Sequence, residues 1–269
     1  MSKANFLLNR QVELLIDEKG SSPERYSSEE KALLAKYSGY GGLDQHLEKS
    51  HSGILYEFFT PIPIVKKMWG LALHYGFRGG SVLEPAAGNG VFLSQVPARR
   101  ELEQAAVFTA IEPQKYSHAI LKILYPQAIA KKQVFEQLFI DENRNDSLKG
   151  KVKSQYDLVI GNPPYGSLRG GAGGRYMAMG EQKYTRAQAY DEYFIFRGLD
   201  VLRPGGLLIY IIGSEVANGG IPFLQRKYAK TKIEISKRGS LIDAYRLPNG
   251  VFDRTDVLSD IIVFQKLAK

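Results

Sequence analysis

Val82-Leu83-Glu84-Pro85-Ala86-Ala87-Gly88-Asn89-Gly90 runs from a short apolar stretch into a glycine turn. The apolar part suits a buried strand. Gly88 and Gly90 allow a sharp turn and a close backbone approach to a ligand. In an open parallel sheet, ligands bind beyond the C-terminal ends of the strands. Val91-Phe92-Leu93 follows where a dinucleotide fingerprint would carry its third glycine, which counts against a pyrophosphate cofactor.

Outward from this turn the pattern repeats. Short apolar runs at Val107–Ile111, Gln133–Phe135, Leu158–Ile160 and Leu207–Ile212 alternate with helical spacing over Val91–Val96, Gln114–Leu124 and Ala189–Leu202. This alternation predicts an α/β fold, a mostly parallel sheet with helices on both faces. Leu241–Leu247 and Leu258–Leu267 lie too close in sequence for a helical crossover and are expected to form an antiparallel pair at the end of the sheet. Upstream, Phe6–Glu18 and Lys31–Tyr37 read as helices, the second stopped by Ser38-Gly39-Tyr40-Gly41-Gly42. Thr60 is expected to cap a helix that begins with Pro61. The division expected is a helical extension over 1–50 and a main domain over 51–269.

The chain has 269 residues and no cysteine, so disulfides, thiolate metal sites and a thiol nucleophile are excluded. Its four histidines form no ligand pair, and no metal is expected. The longest apolar run, Gly206–Ile212, is far short of a membrane span, so a soluble, cytoplasmic protein is expected. Lysine and arginine exceed acids by 36 − 28 = 8, which points to a polyanionic partner.

Glu112 ends the second strand, placed to accept from both hydroxyls of a ribose. Asn162-Pro163-Pro164-Tyr165 follows the strand that ends in Ile160. The prolines fix the backbone and remove two donors, leaving carbonyls to face an open site. Asn162 adds an amide acceptor and Tyr165 a flat ring. The set suits a planar base bearing an exocyclic amine. Gly166–Tyr190 then holds six glycines and four basic residues, Arg169, Arg175, Lys183 and Arg186. A loop that orders on DNA phosphates is expected there.

The glycine turn followed by Asn-Pro-Pro-Tyr resembles the class I S-adenosylmethionine-dependent methyltransferases, and among them the N6-adenine DNA methyltransferases. Phe58-Phe59-Thr60-Pro61 looks like their additional cofactor motif, and the motif order is similar to the gamma arrangement. Tyr190–Ser214 and Arg246–Lys266 match as well. Lys31–Leu43 and the Leu247–Phe252 tail resemble the methylase part of methylase–helicase proteins of mobile elements. The resemblance implies a Rossmann-like, seven-stranded sheet and S-adenosylmethionine as cofactor. It implies that Glu84, Pro85, Ala86, Gly88, Asn89 and Gly90, with Phe59 and Thr60, hold the methionine part. Glu112 would hold the ribose and Glu136 the adenine amine. Asn162, Pro163, Pro164 and Tyr165 would bind a flipped base, with Phe252 opposite. DNA is the implied substrate, with a separate specificity or helicase module as the further partner.

Two alternatives share these motifs. Protein-glutamine and rRNA guanine-N2 methyltransferases also methylate a planar amide or amine, and a non-catalytic DNA-binding subunit could keep the fold. A basic run, Arg226, Lys227, Lys230, Lys232, Lys237 and Arg238, favours a nucleic acid.

Overall fold

The structure is a computed structural model that describes residues 3–39, 60–143, 146–164, 176–214, 229–252 and 258–268. Two helices open it, α1 (Lys3–Lys19) and α2 (Ser28–Leu34). A capping box starts α2: the Glu30 N–H donates to Ser27 Oγ at 3.2 Å, and the Ser27 N–H donates to the Glu30 carboxylate at 2.9 Å.

Helix α3 (Ile62–His74) begins one residue later than the sequence suggests. Pro61, extended at ψ 138°, takes the capping position, and its carbonyl accepts from Ile64 and Val65. Thr60 therefore caps nothing and is left buried beside the sheet.

The strands are β1 (Gly80–Glu84), β2 (Ala106–Ile111), β3 (Ile129–Lys131), β4 (Tyr156–Gly161), β5 (Leu202–Ser214), β6 (Gly239–Arg246) and β7 (Leu258–Lys266). Their order is β3-β2-β1-β4-β5-β7-β6. The first five are parallel; β7 runs antiparallel to both β5 and β6. The chain moves outward from β1 through β2 and β3, then returns to place β4 on the other side of β1. The switch point that favours ligand binding thus falls between β1 and β4.

Two expectations fail locally. The third strand is Ile129–Lys131, and Phe135–Phe139 forms a 3-10 turn in place of the expected strand at Gln133–Phe135. An edge strand bearing lysine is short and half-solvated, so it carries no apolar run to read. Val91–Val96 forms only a 3-10 turn at Leu93–Gln95, because Pro97 forces Val96 to extended geometry.

Alternating strand residues feed two cores. Leu83, Val159, Leu208 and Tyr210 pack toward a helix at Tyr190–Val201, here α6. Val82, Leu158, Ile160 and Ile209 pack toward α3. A third cluster joins Val12, Ile16, Leu34 and Tyr37 of the N-terminal helices to Ala119, Ile120 and Ile123 of α4 (Lys115–Leu124).

Candidate active site

Beyond β1 the backbone passes through Pro85-Ala86-Ala87 into Gly88, whose φ of 52° is left-handed. A cavity lies beside this bend, at the C-terminal ends of β1, β2 and β4. Its wall includes Thr60, Glu84, Pro85, Ala86, Gly88, Glu112, Glu136, Asn162 and Pro164.

Three carboxylates face this space in three environments. Glu112 accepts from the Gly88 N–H at 2.9 Å and from the Gln114 N–H at 2.7 Å. Glu84 is fully buried, and neither of its oxygens has a hydrogen-bond partner among the described residues. Burial, with the charge of Glu112 added, holds its carboxyl well above the usual range. Glu136 is pushed up to about 7, mainly by burial; its own backbone N–H opposes the rise and the Glu181 charge adds to it.

A buried, orphaned carboxylate in a cavity wall calls for a donor from a ligand. Glu84 fits the ammonium of an amino acid, and Glu112, carrying two backbone donors already, fits vicinal hydroxyls. Those are the two polar ends that S-adenosylmethionine presents. Asn162 and Pro164 line the same cavity, so the base-binding motif and the glycine turn meet in one space.

Other expected residues lie elsewhere. Asn89 and Gly90 do not line the cavity. Asn89 donates its side-chain N–H to the Tyr37 carbonyl at 2.8 Å. Gly90 is needed for packing: a Cβ there would stand 2.5 Å from the Tyr125 ring. Pro163 is buried outside the cavity wall. Phe252 is 6% exposed and packs in the core cluster with Leu247, so the structure does not bring its ring to the cavity. Phe59, Tyr165, Arg169, Arg175, Arg226 and Lys227 lie outside the described residues. Lys183 and Arg186 are exposed. Arg238 pairs with Asp200 while stacking 3.8 Å from the Phe196 ring centroid, so this cation is held internally, whereas Lys237 pairs with Glu234 on the exposed surface.

The second half of the glycine-rich segment is not a loop. Met177–Glu181 and α5 (Gln182–Thr185) are helical, and Glu181 and Arg197 are both fully buried. Arg197 donates to Glu181 at 2.8 and 2.5 Å and to Asp200 at 2.8 Å; Tyr193 and Ser147 hydroxyls also donate to Glu181. Residues 165–175 lie outside the described residues. Sequence reading also missed Tyr190 and Phe194, which line the cavity from one face of α6 at i, i+4 spacing. That spacing was the available signal.

The family model for the Eco57I restriction-modification methylase matches residues 29–244. The chain belongs to this family. It is a family of restriction-modification methylases. The methylase is 30% identical over 243 residues to "Defense against restriction protein B" of Escherichia phage P1, a match spanning 89% of this chain and 9% of the phage protein. The type I restriction-modification methyltransferase subunit of Streptococcus thermophilus superposes with a TM-score of 0.61 at 15% identity, covering 93% of this chain and 51% of that one. A protein of Listeria monocytogenes assigned to the class I S-adenosylmethionine-dependent methyltransferases superposes at 0.55 and 16% identity, covering 98% and 79%. These two likenesses bear on the fold. Among the described residues, no helix is long and apolar enough to cross a membrane.

Proposed function

We propose that the methylase transfers a methyl group from S-adenosylmethionine to the N6 amino nitrogen of adenine in DNA. The observation that carries this reading is that Asn162 and Pro164 share one cavity wall with Glu84, Gly88 and Glu112. The bound cofactor supplies an activated methyl on a sulfonium. What the chain must supply is placement and a freed lone pair on the acceptor.

The amino lone pair of adenine is delocalised into the ring. The Asn162 side-chain oxygen and a prolyl carbonyl of the same turn accept its two N–H groups and draw the nitrogen toward tetrahedral geometry. No covalent nucleophile is required, in keeping with a chain that has no cysteine. Orientation and fixed dipoles carry the rate. Glu84 holds the amino end of the cofactor, Glu112 the ribose and Glu136 the adenine amine.

A base in duplex DNA reaches this cavity only by leaving the stack, at a cost of a few kcal/mol. Stacking on Tyr165 offsets about 1–3 kcal/mol of it. The net charge of +8 supports a polyanionic substrate. The chain spans 9% of its phage relative. By its likeness to methylase–helicase proteins, a specificity or helicase module is the proposed further partner.

The test is methyl incorporation from labelled cofactor into adenine-containing DNA, RNA and bulk protein, side by side. Label in DNA at N6-methyladenine is expected. Label confined to protein glutamine or to guanine N2 in RNA would replace this reading. Cofactor binding with no transfer to any of the three would favour a non-catalytic DNA-binding subunit.

A further inference from the structure

Helix α1 lies wholly outside the matched family segment, which begins at residue 29. We propose that α1 and the residues after α2 act as a brace that sets the cofactor-binding turn, through Asn9 and Asn89 as positioning residues. The inference rests on the cavity being the S-adenosylmethionine site.

The links form a series. Asn9 is fully buried in α1. Its side-chain oxygen accepts from the Ser38 N–H at 3.0 Å, and its side-chain N–H donates to the Gly39 carbonyl. One residue earlier, the Tyr37 carbonyl accepts from Asn89 at 2.8 Å. Asn89 lies between Gly88, left-handed at φ 52°, and Gly90, at φ 85°. The Gly88 N–H in turn donates to Glu112 in the cavity wall. Each bond fixes the group that makes the next.

The energetics favour this arrangement. Two left-handed glycines flanking one residue give the turn little intrinsic preference for one backbone path. A side-chain tether between them selects the path that aims Gly88 N–H at Glu112. The tether is anchored well: the Tyr37 ring is 5% exposed and packs in the cluster that joins α1 and α2 to α4. Lys115 and Tyr116 of α4 both donate to Asp17 of α1, at 2.6 and 2.9 Å, which holds the two helices in register. Nothing in this series lines the cavity except its last link, Gly88 and Glu112.

Calorimetric binding of S-adenosylhomocysteine to Asn9→Ala, Asn89→Ala and the double variant tests the series. Each single change is expected to weaken binding about tenfold, the scale of one hydrogen bond. The double change should weaken it no further than the stronger single, because links in series are lost once. Additive losses, or unchanged affinity in both singles, would overturn the brace. Asn89→Asp, nearly isosteric but with an acceptor facing the Tyr37 carbonyl in place of the N–H, should weaken binding at least as much as Asn89→Ala, so a packing defect at alanine is separable. Amide exchange at Gly88 without ligand gives a second readout. It should rise in Asn9→Ala, and an unchanged rate would overturn the proposal whatever binds the cavity. Failure of the unaltered chain to bind the probe, with Gly88 exchange still raised, would remove the cofactor reading and leave the brace.

Discussion

Glu84 and Glu112 enter one cavity from the ends of neighbouring parallel strands, and among the described residues only Glu112 of the two has backbone donors, from Gly88 and Gln114. Two acids in one space cannot both ionise cheaply without compensation. Glu112 has its compensation built in, so Glu84 is the one left to keep its proton, as its raised carboxyl reflects. An arriving ammonium gives Glu84 the partner it lacks.

Proton release should therefore accompany cofactor binding. Calorimetry in buffers of different ionisation enthalpy would count the protons, and Glu84→Gln should remove most of the dependence while weakening affinity by about 10-fold or more, the loss expected for a charge-assisted bond. Buffer-independent heats in the unaltered chain would contradict this. Stability carries the same sign. A carboxyl raised on folding binds its proton more tightly folded than unfolded, so stability is greatest at low pH and falls as pH rises. For Glu136 the window runs from the ordinary 4.5 to about 7; Glu84 acts in the same direction. The ligand-free Tm should fall across this window, and less steeply in Glu136→Gln.

Gly88→Val should abolish cofactor binding. A β-branched residue is a strong outlier at φ 52°, and its side chain would project from a backbone that forms the cavity wall. Relaxing the backbone would also withdraw the N–H from Glu112. Calorimetry on the folded variant decides, and unchanged affinity would move the site elsewhere.

Arg197→Ala should destabilise the fold by about 3–5 kcal/mol, because it leaves Glu181 charged and buried without its partner. Chemical denaturation would measure the loss. In the unaltered chain, amides over 176–190 should exchange slowly without DNA, since this network pins them to α6. Fast exchange there would restore the loop first expected from the glycine content.

What could be read from sequence followed from how local the signal was. β1, β2, β4 and β5 are buried on both faces, so their apolar runs stand out, and the glycine turn and Asn162 sit at strand ends that those runs locate. The edge strand β3 was misplaced because half-exposed residues carry no run. The segment at 176–190 was misread because its order comes from Arg197, sixteen residues beyond Glu181, and glycine content says nothing of a distant buried charge. Asn89 was read as a cofactor contact because its partner is a backbone carbonyl 52 positions away, which has no sequence signature.

Asn162→Ala separates chemistry from binding. Asn162 reaches the cavity from the end of β4, whereas Glu84 and Glu112 reach it from β1 and β2, so the acids that meet the cofactor stay in place when the amide is removed. Loss of one oriented acceptor in the transition state is expected to lower methyl transfer by about 100-fold or more. S-adenosylmethionine affinity should change by less than about threefold, below the scale of one hydrogen bond. The decisive readouts are single-turnover methylation of adenine-containing DNA beside calorimetric cofactor affinity on the same preparation. If transfer and affinity fell together, Asn162 would be holding the cavity's shape, and the acceptor role would pass to another group at the β4 end.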